Sequence, residues 1–328
     1  MKPNVGQQVP CMFNNNDLLT LAKCNYLPYG VDYPQGPTGR FCNGKNIPDF
    51  LVEFLGFEKA IPPFATANGS EILKGVNYAS GGGGILDYTG ILQGDRIGMK
   101  RQLHNHGVTI SKTNRLLGNE TKGREHLKKC LYVVNMGSNE YVNNYLLSPL
   151  YLTSLFQTPQ QFAETVINHY SQQLKSLYNY GARKIAVYGL APLGCIPKNL
   201  YKIVSNGSIC NNTINEIVQP FNNRLKPLID SLNADLHGSH FTMINFTSLI
   251  TQGHNSALLG IKFTNASCCT VSKISNAREE ICSNRNDYFF WDNYHLTEIG
   301  NRAAAARSYR AELPSDAYPF DIRSLVHQ

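Results

Sequence analysis

The first serine of this 328-residue chain is Ser70. Whatever chemistry the N-terminal fifth carries, it does not use a serine hydroxyl. None of the nine cysteines forms a Cys-x-x-Cys pair, which argues against a zinc site. Charge is sparse at 16%, and 30 Lys+Arg against 23 Asp+Glu give a net charge of +7. The densest basic run, Lys122 to Lys129, is interrupted by Glu125, and no basic stripe alternates with aromatics. A nucleic-acid partner is therefore not expected, and the charge reads as a mildly basic soluble surface. No stretch approaches the length of a transmembrane span. The opening Met-Lys-Pro-Asn-Val-Gly-Gln-Gln has no apolar signal core. The glycine run Gly81–Gly84 has no Lys-Ser/Thr after it and no Gly-x-Gly-x-x-Gly, which argues against a nucleotide cradle. No internal repeat, low-complexity linker or charged tail divides the chain, so a single domain over 1–328 is expected.

What is present suits a large core. Hydrophobic residues make up 42% of the chain. Ile47, Phe50, Leu51, Phe54 and Leu55 fall on one helical face, with Gly56 as the stop. Residues 71–78 read as a strand leading into the glycine run, and Leu131–Met136 as a buried strand ending at Gly137-Ser138-Asn139. Thr158 and Pro159 open a helix that reaches Gly181. Lys184–Leu190 and His240–Phe246 are further strands. Residues 213–235 form a helix expected to bend near Pro220 or Pro227, and 297–310 form a last helix. Strands alternating with helices predict an α/β fold with a mostly parallel sheet. In such sheets chemistry sits in loops at the carboxyl ends of strands. Three loops qualify: 79–85, 137–141 and 291–295.

Asp292 stands three residues before His295 in Phe-Phe-Trp-Asp-Asn-Tyr-His. A tight turn at that spacing puts the carboxylate on Nδ1 and leaves Nε2 as a general base. Alone, the pattern equally fits a surface turn or a helix N-terminus. Asn139, after a buried strand, is a side-chain donor suited to a developing oxyanion, although Gly and Asn are also ordinary turn residues. The glycine loop offers backbone N–H groups that can converge on an anion.

In this order the three signals resemble the plant branch of the GDSL esterase/lipase family, the SGNH hydrolases. Tyr26–Phe50, Gly-Leu-Ala-Pro-Leu-Gly-Cys-Ile-Pro at 189–197, residues 221–236 and Tyr-Pro-Phe-Asp-Ile-Arg-Ser-Leu-Val at 318–326 are also similar to that family, so the resemblance spans 9–326. It implies a three-layer, flavodoxin-like α/β/α fold and hydrolysis of carboxylic esters of lipids or other acyl groups, with no metal or cofactor. By the same resemblance Gly81 and Asn139 are oxyanion donors, Asp292 is the supporting acid and His295 is the base. Two departures stand out: Glu140 where Asp commonly follows the asparagine, and Leu296 where proline commonly follows the histidine, which is expected to loosen that turn. Cys195 with Cys210, and Cys268 or Cys269 with Cys282, are candidate bridges, a buried thiol being the alternative for each. Nine cysteines leave at least one unpaired in a monomer. Six Asn-x-Ser/Thr sequons and the cysteines favour a secreted, oxidising setting, against the missing signal core.

The resemblance also exposes a gap. In the family, Val-Pro-Cys leads into an apolar strand, a Gly-Asp-Ser-Leu block carrying the nucleophile, and a short turn before the asparagines. Here Phe13 meets Asn14 directly. About ten residues, one strand and a turn, are absent. Ser80, Ser138 and Cys11 are the nearby substitutes, and none sits where that serine would. The first strand is therefore expected to be missing or distorted, with residues 5–13 as a short stand-in opposed by Pro10. The chain is expected to be inactive. Three origins are open: an ester hydrolase whose sequence is incomplete here through splicing or a faulty gene model, a non-catalytic binding relative, or an enzyme with a relocated nucleophile.

Overall fold

Cys130–Val134 (β3) is buried along its whole length, the mark of a strand covered on both faces. The computed structural model, which describes residues 4–8, 14–146, 153–200, 210–251, 260–270 and 280–328, places it inside a six-stranded sheet. The strands are Asn4–Gln8 (β1), Gly75–Asn77 (β2), β3, Lys184–Tyr188 (β4), His240–Ile244 (β5) and, after four short strands, Ala317–Tyr318 (β10). Their order is β10-β5-β4-β3-β1-β2, and all neighbours run parallel except β10 against β5. The short strands pair as Phe263–Ser267 (β6) with Tyr288–Phe290 (β9), and Cys269–Thr270 (β7) with Glu280–Ile281 (β8).

Strand side chains alternate between two apolar layers. Tyr132, Val134, Ile185, Val187 and Phe241 face one cluster. It is shared with Met99–Leu117 (α2), Pro159–Asn179 (α4) and Asn212–Asp235 (α5). Leu131, Val133, Ala186, Tyr188 and Ile244 face the other, packed by Ile47–Phe54 (α1) and Glu298–Tyr309 (α6). This is the three-layer α/β/α arrangement. Helix α5 runs through both Pro220 and Pro227.

The first strand differs from expectation. Its slot is filled: Asn4–Gln8 pairs with β3 from Asn4↔Cys130 to Gln8↔Val134, and with β2 from Val5↔Gly75 to Gln7↔Asn77. An interior strand must offer N–H groups to both sides, and proline cannot. Asn4–Gln8 is the proline-free stretch between Pro3 and Pro10. Pro10, Cys11 and the rest of 9–13 lie outside the described residues.

Two further differences have local causes. Gly69–Lys74 is a 3₁₀ turn rather than strand, because Glu71 reaches back to the Asn68 N–H (2.9 Å) and starts a helical turn. Helices α2 and Glu120–Lys128 (α3) were not anticipated. The buried face of α2 includes Gln102, His106, Thr109 and Thr113, so it shows no apolar period. The bridges are Cys195–Cys210 and Cys268–Cys282.

His106 of α2 is an acid-sensitive point of this core. It is fully buried among Tyr78, Tyr132 and Tyr180, with Nδ1 at 3.1 Å from the Tyr78 hydroxyl. Burial pushes its pKa down to about 4. In the unfolded chain it titrates near 6.5, so the unfolded state binds the extra proton as pH falls from 6.5 to 4 and stability drops across that window. His106→Phe is expected to remove up to about 3 kcal/mol of that acid-side loss. Denaturant midpoints of both proteins at pH 7 and pH 4.5 check it.

Candidate active site

The loop after β9 is closed by its own backbone. Trp291 N–H donates to the His295 carbonyl (2.7 Å), and Thr297 N–H donates to the Phe289 carbonyl (3.0 Å). Thr297 then caps α6. Leu296, in place of proline, packs into the core and does not open the turn. Inside this turn Asp292 Oδ1 accepts the N–H groups of Tyr294 (2.8 Å) and His295 (2.7 Å). His295 Nδ1 lies 3.0 Å from Oδ1 and 2.9 Å from Oδ2. The Tyr29 hydroxyl donates to Oδ2 (2.8 Å). Burial alone would raise the Asp292 pKa. The His295 charge and the converging N–H groups outweigh it and hold the carboxyl below the usual range. The Asp292 side chain is 8% exposed and that of His295 35%, so the acid is sheltered and the imidazole reaches solvent.

The glycine loop leaves the end of β2 and is held by two of the asparagines that follow Phe13. Asn14 Nδ2 donates to the carbonyls of Asn77 and Ala79 (both 2.9 Å), and its Oδ1 accepts Ala65 N–H (3.0 Å). Asn15 Nδ2 donates to the carbonyls of Gly81 (2.9 Å) and Ala22 (2.8 Å). The Ser80 hydroxyl donates to Asn15 Oδ1 and accepts Ile97 N–H (3.0 Å). With its hydroxyl so engaged, Ser80 is part of the loop's scaffold. Gly81 N–H donates to no group among the described residues. A Cβ on Gly81 would meet the Phe41 ring at 2.9 Å, so a side chain here would push that ring aside.

Asn139 follows β3 through Gly137, whose φ of +122° favours glycine. Its Nδ2 donates to the Gly83 carbonyl (2.8 Å), which ties the two loops together. Asn143 donates to Asn139 Oδ1 (2.9 Å) and accepts from Gln93 (2.7 Å), so the amide orientation is determined. Glu140, a mild departure by residue type, is fully buried and staples the same loops. Its Oε1 accepts Ile85 N–H, Leu86 N–H (3.1 Å) and the Thr89 hydroxyl (2.9 Å). Burial raises its pKa.

Phe41 joins the two halves. Its ring stacks on His295 at 4.7 Å and lies against Gly81. Gly81, Asn139, Asp292 and His295, separated by up to 214 positions, are thus linked through Phe41 and Gly83. Tyr29, Phe41 and the clamp of Asn14 and Asn15 were not picked out from sequence. The consecutive asparagines were visible there, but nothing local tells a clamp from a turn.

A doubly covered, mostly parallel sheet, with a His–Asp couple, a glycine loop and a strand-end asparagine, defines a three-layer α/β architecture of the SGNH class. Comparison with known proteins agrees. The model of the GDSL-like Lipase/Acylhydrolase family matches residues 13–308. Among Arabidopsis thaliana proteins, GDSL esterase/lipase At1g29670 is 43% identical, over 99% of this chain and 94% of the relative. GDSL esterase/lipase At4g18970 is 40% identical, over 95% and 88%. The chain belongs to the GDSL esterase/lipase family.

Asn15→Ala leaves two buried carbonyls and the Ser80 hydroxyl without their partner. It is expected to cost about 1–3 kcal/mol and to speed amide exchange at Gly81–Gly84. Chemical denaturation and hydrogen exchange read the two effects.

Proposed function

We propose that this chain carries the acid–base and oxyanion groups of a carboxylic-ester hydrolase but not its nucleophile, and that the polypeptide itself does not turn esters over. The observation that carries this reading is the half-buried His295, backed by buried Asp292 and linked through Phe41 and Gly83 to the Asn139 amide and to Gly81, whose N–H donates to no group among the described residues. With a serine at the end of the first strand, His295 Nε2 would take the hydroxyl proton as oxygen attacks the ester carbonyl. Asp292 would hold the imidazolium. Gly81 N–H and Asn139 Nδ2 would stabilise the tetrahedral oxyanion, and the proton would return to the leaving alcohol. The alignment to At1g29670 runs over 345 positions, longer than this 328-residue chain. The relative therefore holds residues that this chain lacks, in keeping with a block lost between Phe13 and Asn14.

Lipid or other acyl esters are the substrate class, by family. Two disulfides and exposed sequons at Asn68, Asn119 and Asn265 support a secreted glycoprotein. Among the described residues no helix is long and apolar enough to cross a membrane. A second reading, a non-catalytic module that binds acyl ligands, gains from the filled first-strand slot, which lets the sheet close without the block.

Side-by-side assay separates the readings. This chain, and a version with an apolar strand plus Gly-Asp-Ser-Leu inserted after Phe13, are compared on p-nitrophenyl butyrate. This chain is expected at the buffer background, and the restored version several orders of magnitude higher; serine loss in subtilisin costs about 2 × 10⁶. Equal turnover by both would contradict the reading.

A further inference from the structure

The Asp292 carboxylate has an asymmetric set of donors. Oδ1 is held by two backbone N–H groups of its own turn, whereas beyond His295 itself Oδ2 is met by the Tyr29 hydroxyl at 2.8 Å, from a loop 263 residues away. Packing does not call for that hydroxyl. Tyr29 is 4% exposed and its ring sits edge-on to Tyr26 and Phe41, contacts a phenylalanine would reproduce. Tyr141 and Tyr170 bury hydroxyls with no hydrogen-bond partner among the described residues. In this core a tyrosine is thus buried readily without its oxygen being used, and at Tyr29 the oxygen is aimed at the carboxylate that backs the imidazole.

We propose that Tyr29 is a positioning residue for the Asp292–His295 pair: its hydroxyl, donating to Oδ2, fixes the rotation of the carboxylate and tunes how strongly it accepts from His295 Nδ1. His295 Nδ1 is almost equidistant from the two oxygens, so the turn alone leaves the carboxylate plane free to rock about Oδ1. The phenol adds a third direction of restraint on the opposite oxygen. Its ring, through Phe41, bears on the face of the same imidazole. With Nδ1 held against Asp292, Nε2 is the ring nitrogen turned away from the carboxylate. Burial, then the Asp292 charge, raise the Tyr29 pKa far above its ordinary value, so the hydroxyl keeps its proton as a donor throughout the working range.

The inference rests on the reading of His295 as the base, but its test needs no turnover. The full chain is labelled with ¹⁵N-histidine, and the His295 Nδ1–H resonance is assigned by its loss in His295→Gln. Tyr29→Phe removes one donor from the carboxylate, which then accepts more strongly from Nδ1–H, and the proton is expected to move downfield. Site-specific 3-fluorotyrosine at position 29 keeps the ring and hydroxyl but strengthens the donor, so the proton is expected to move upfield. The fluorinated chain also answers the question should Tyr29→Phe fail to fold. Displacements of opposite sign support the role. No displacement in either, or displacement of the same sign in both, overturns it, because a merely structural residue has no reason to follow donor strength. An inactive restored chain in which the resonance still responds would sink the hydrolase reading and leave the positioning role intact.

Discussion

The site depends on one slot in the sheet. Strands β2 and β3 do not touch; each pairs with β1, which stands between them. The glycine loop leaves β2 and the Asn139 turn leaves β3, so the distance between the proposed oxyanion donors is set by whatever occupies the β1 position. An empty interior slot would leave two rows of backbone groups unpaired in the core, at a cost of several kcal/mol. Asn4–Gln8 removes that cost by matching β3 over five residues and β2 over three. The Asn139 to Gly83 hydrogen bond then closes the gap above the strand.

A second constraint is the burial of charge. Asp292 can stay ionised at 8% side-chain exposure because two N–H groups, an imidazole and a phenol all point at it. Glu140 is buried with one oxygen serving three donors from the facing loop, and there burial wins and raises its pKa. Arg40 and Asp49 form a buried bidentate pair that anchors the loop next to Phe41. Loops rich in glycine have little stiffness of their own. Here the rigidity comes from these polar ties, with Asn14 and Asn15 contributing six of them.

Much of this was readable from residues alone, for physical reasons. The apolar strands Cys130–Val134 and Lys184–Tyr188 and the capped helix Pro159–Asn179 announce themselves by burial pattern and cap chemistry. Asp292 and His295 were legible because their contact is local, three residues apart. Tyr29 on Asp292 and Phe41 on His295 were not, because contacts across more than 250 positions leave no spacing to read. Helix α2 escaped because its buried face is mostly polar. The block absent between Phe13 and Asn14 predicts a missing or distorted first strand, and Pro10 opposes residues 5–13 as its stand-in. The structure instead uses the stretch ahead of that proline, where pairing requires only backbone groups and tolerates polar residues such as Gln7 and Gln8.

The central proposal is that Gly81, Asn139, Asp292 and His295 are the groups of a hydrolase site left without its serine nucleophile. Ser80 is bound to Asn15 and Ile97, and the motif serine is absent. Exposing the folded chain to a fluorophosphonate and recording its intact mass tests this most directly. The account predicts an unchanged mass. A single stoichiometric adduct, mapped to Ser80, Ser138 or any other residue and abolished by His295→Gln, would contradict it.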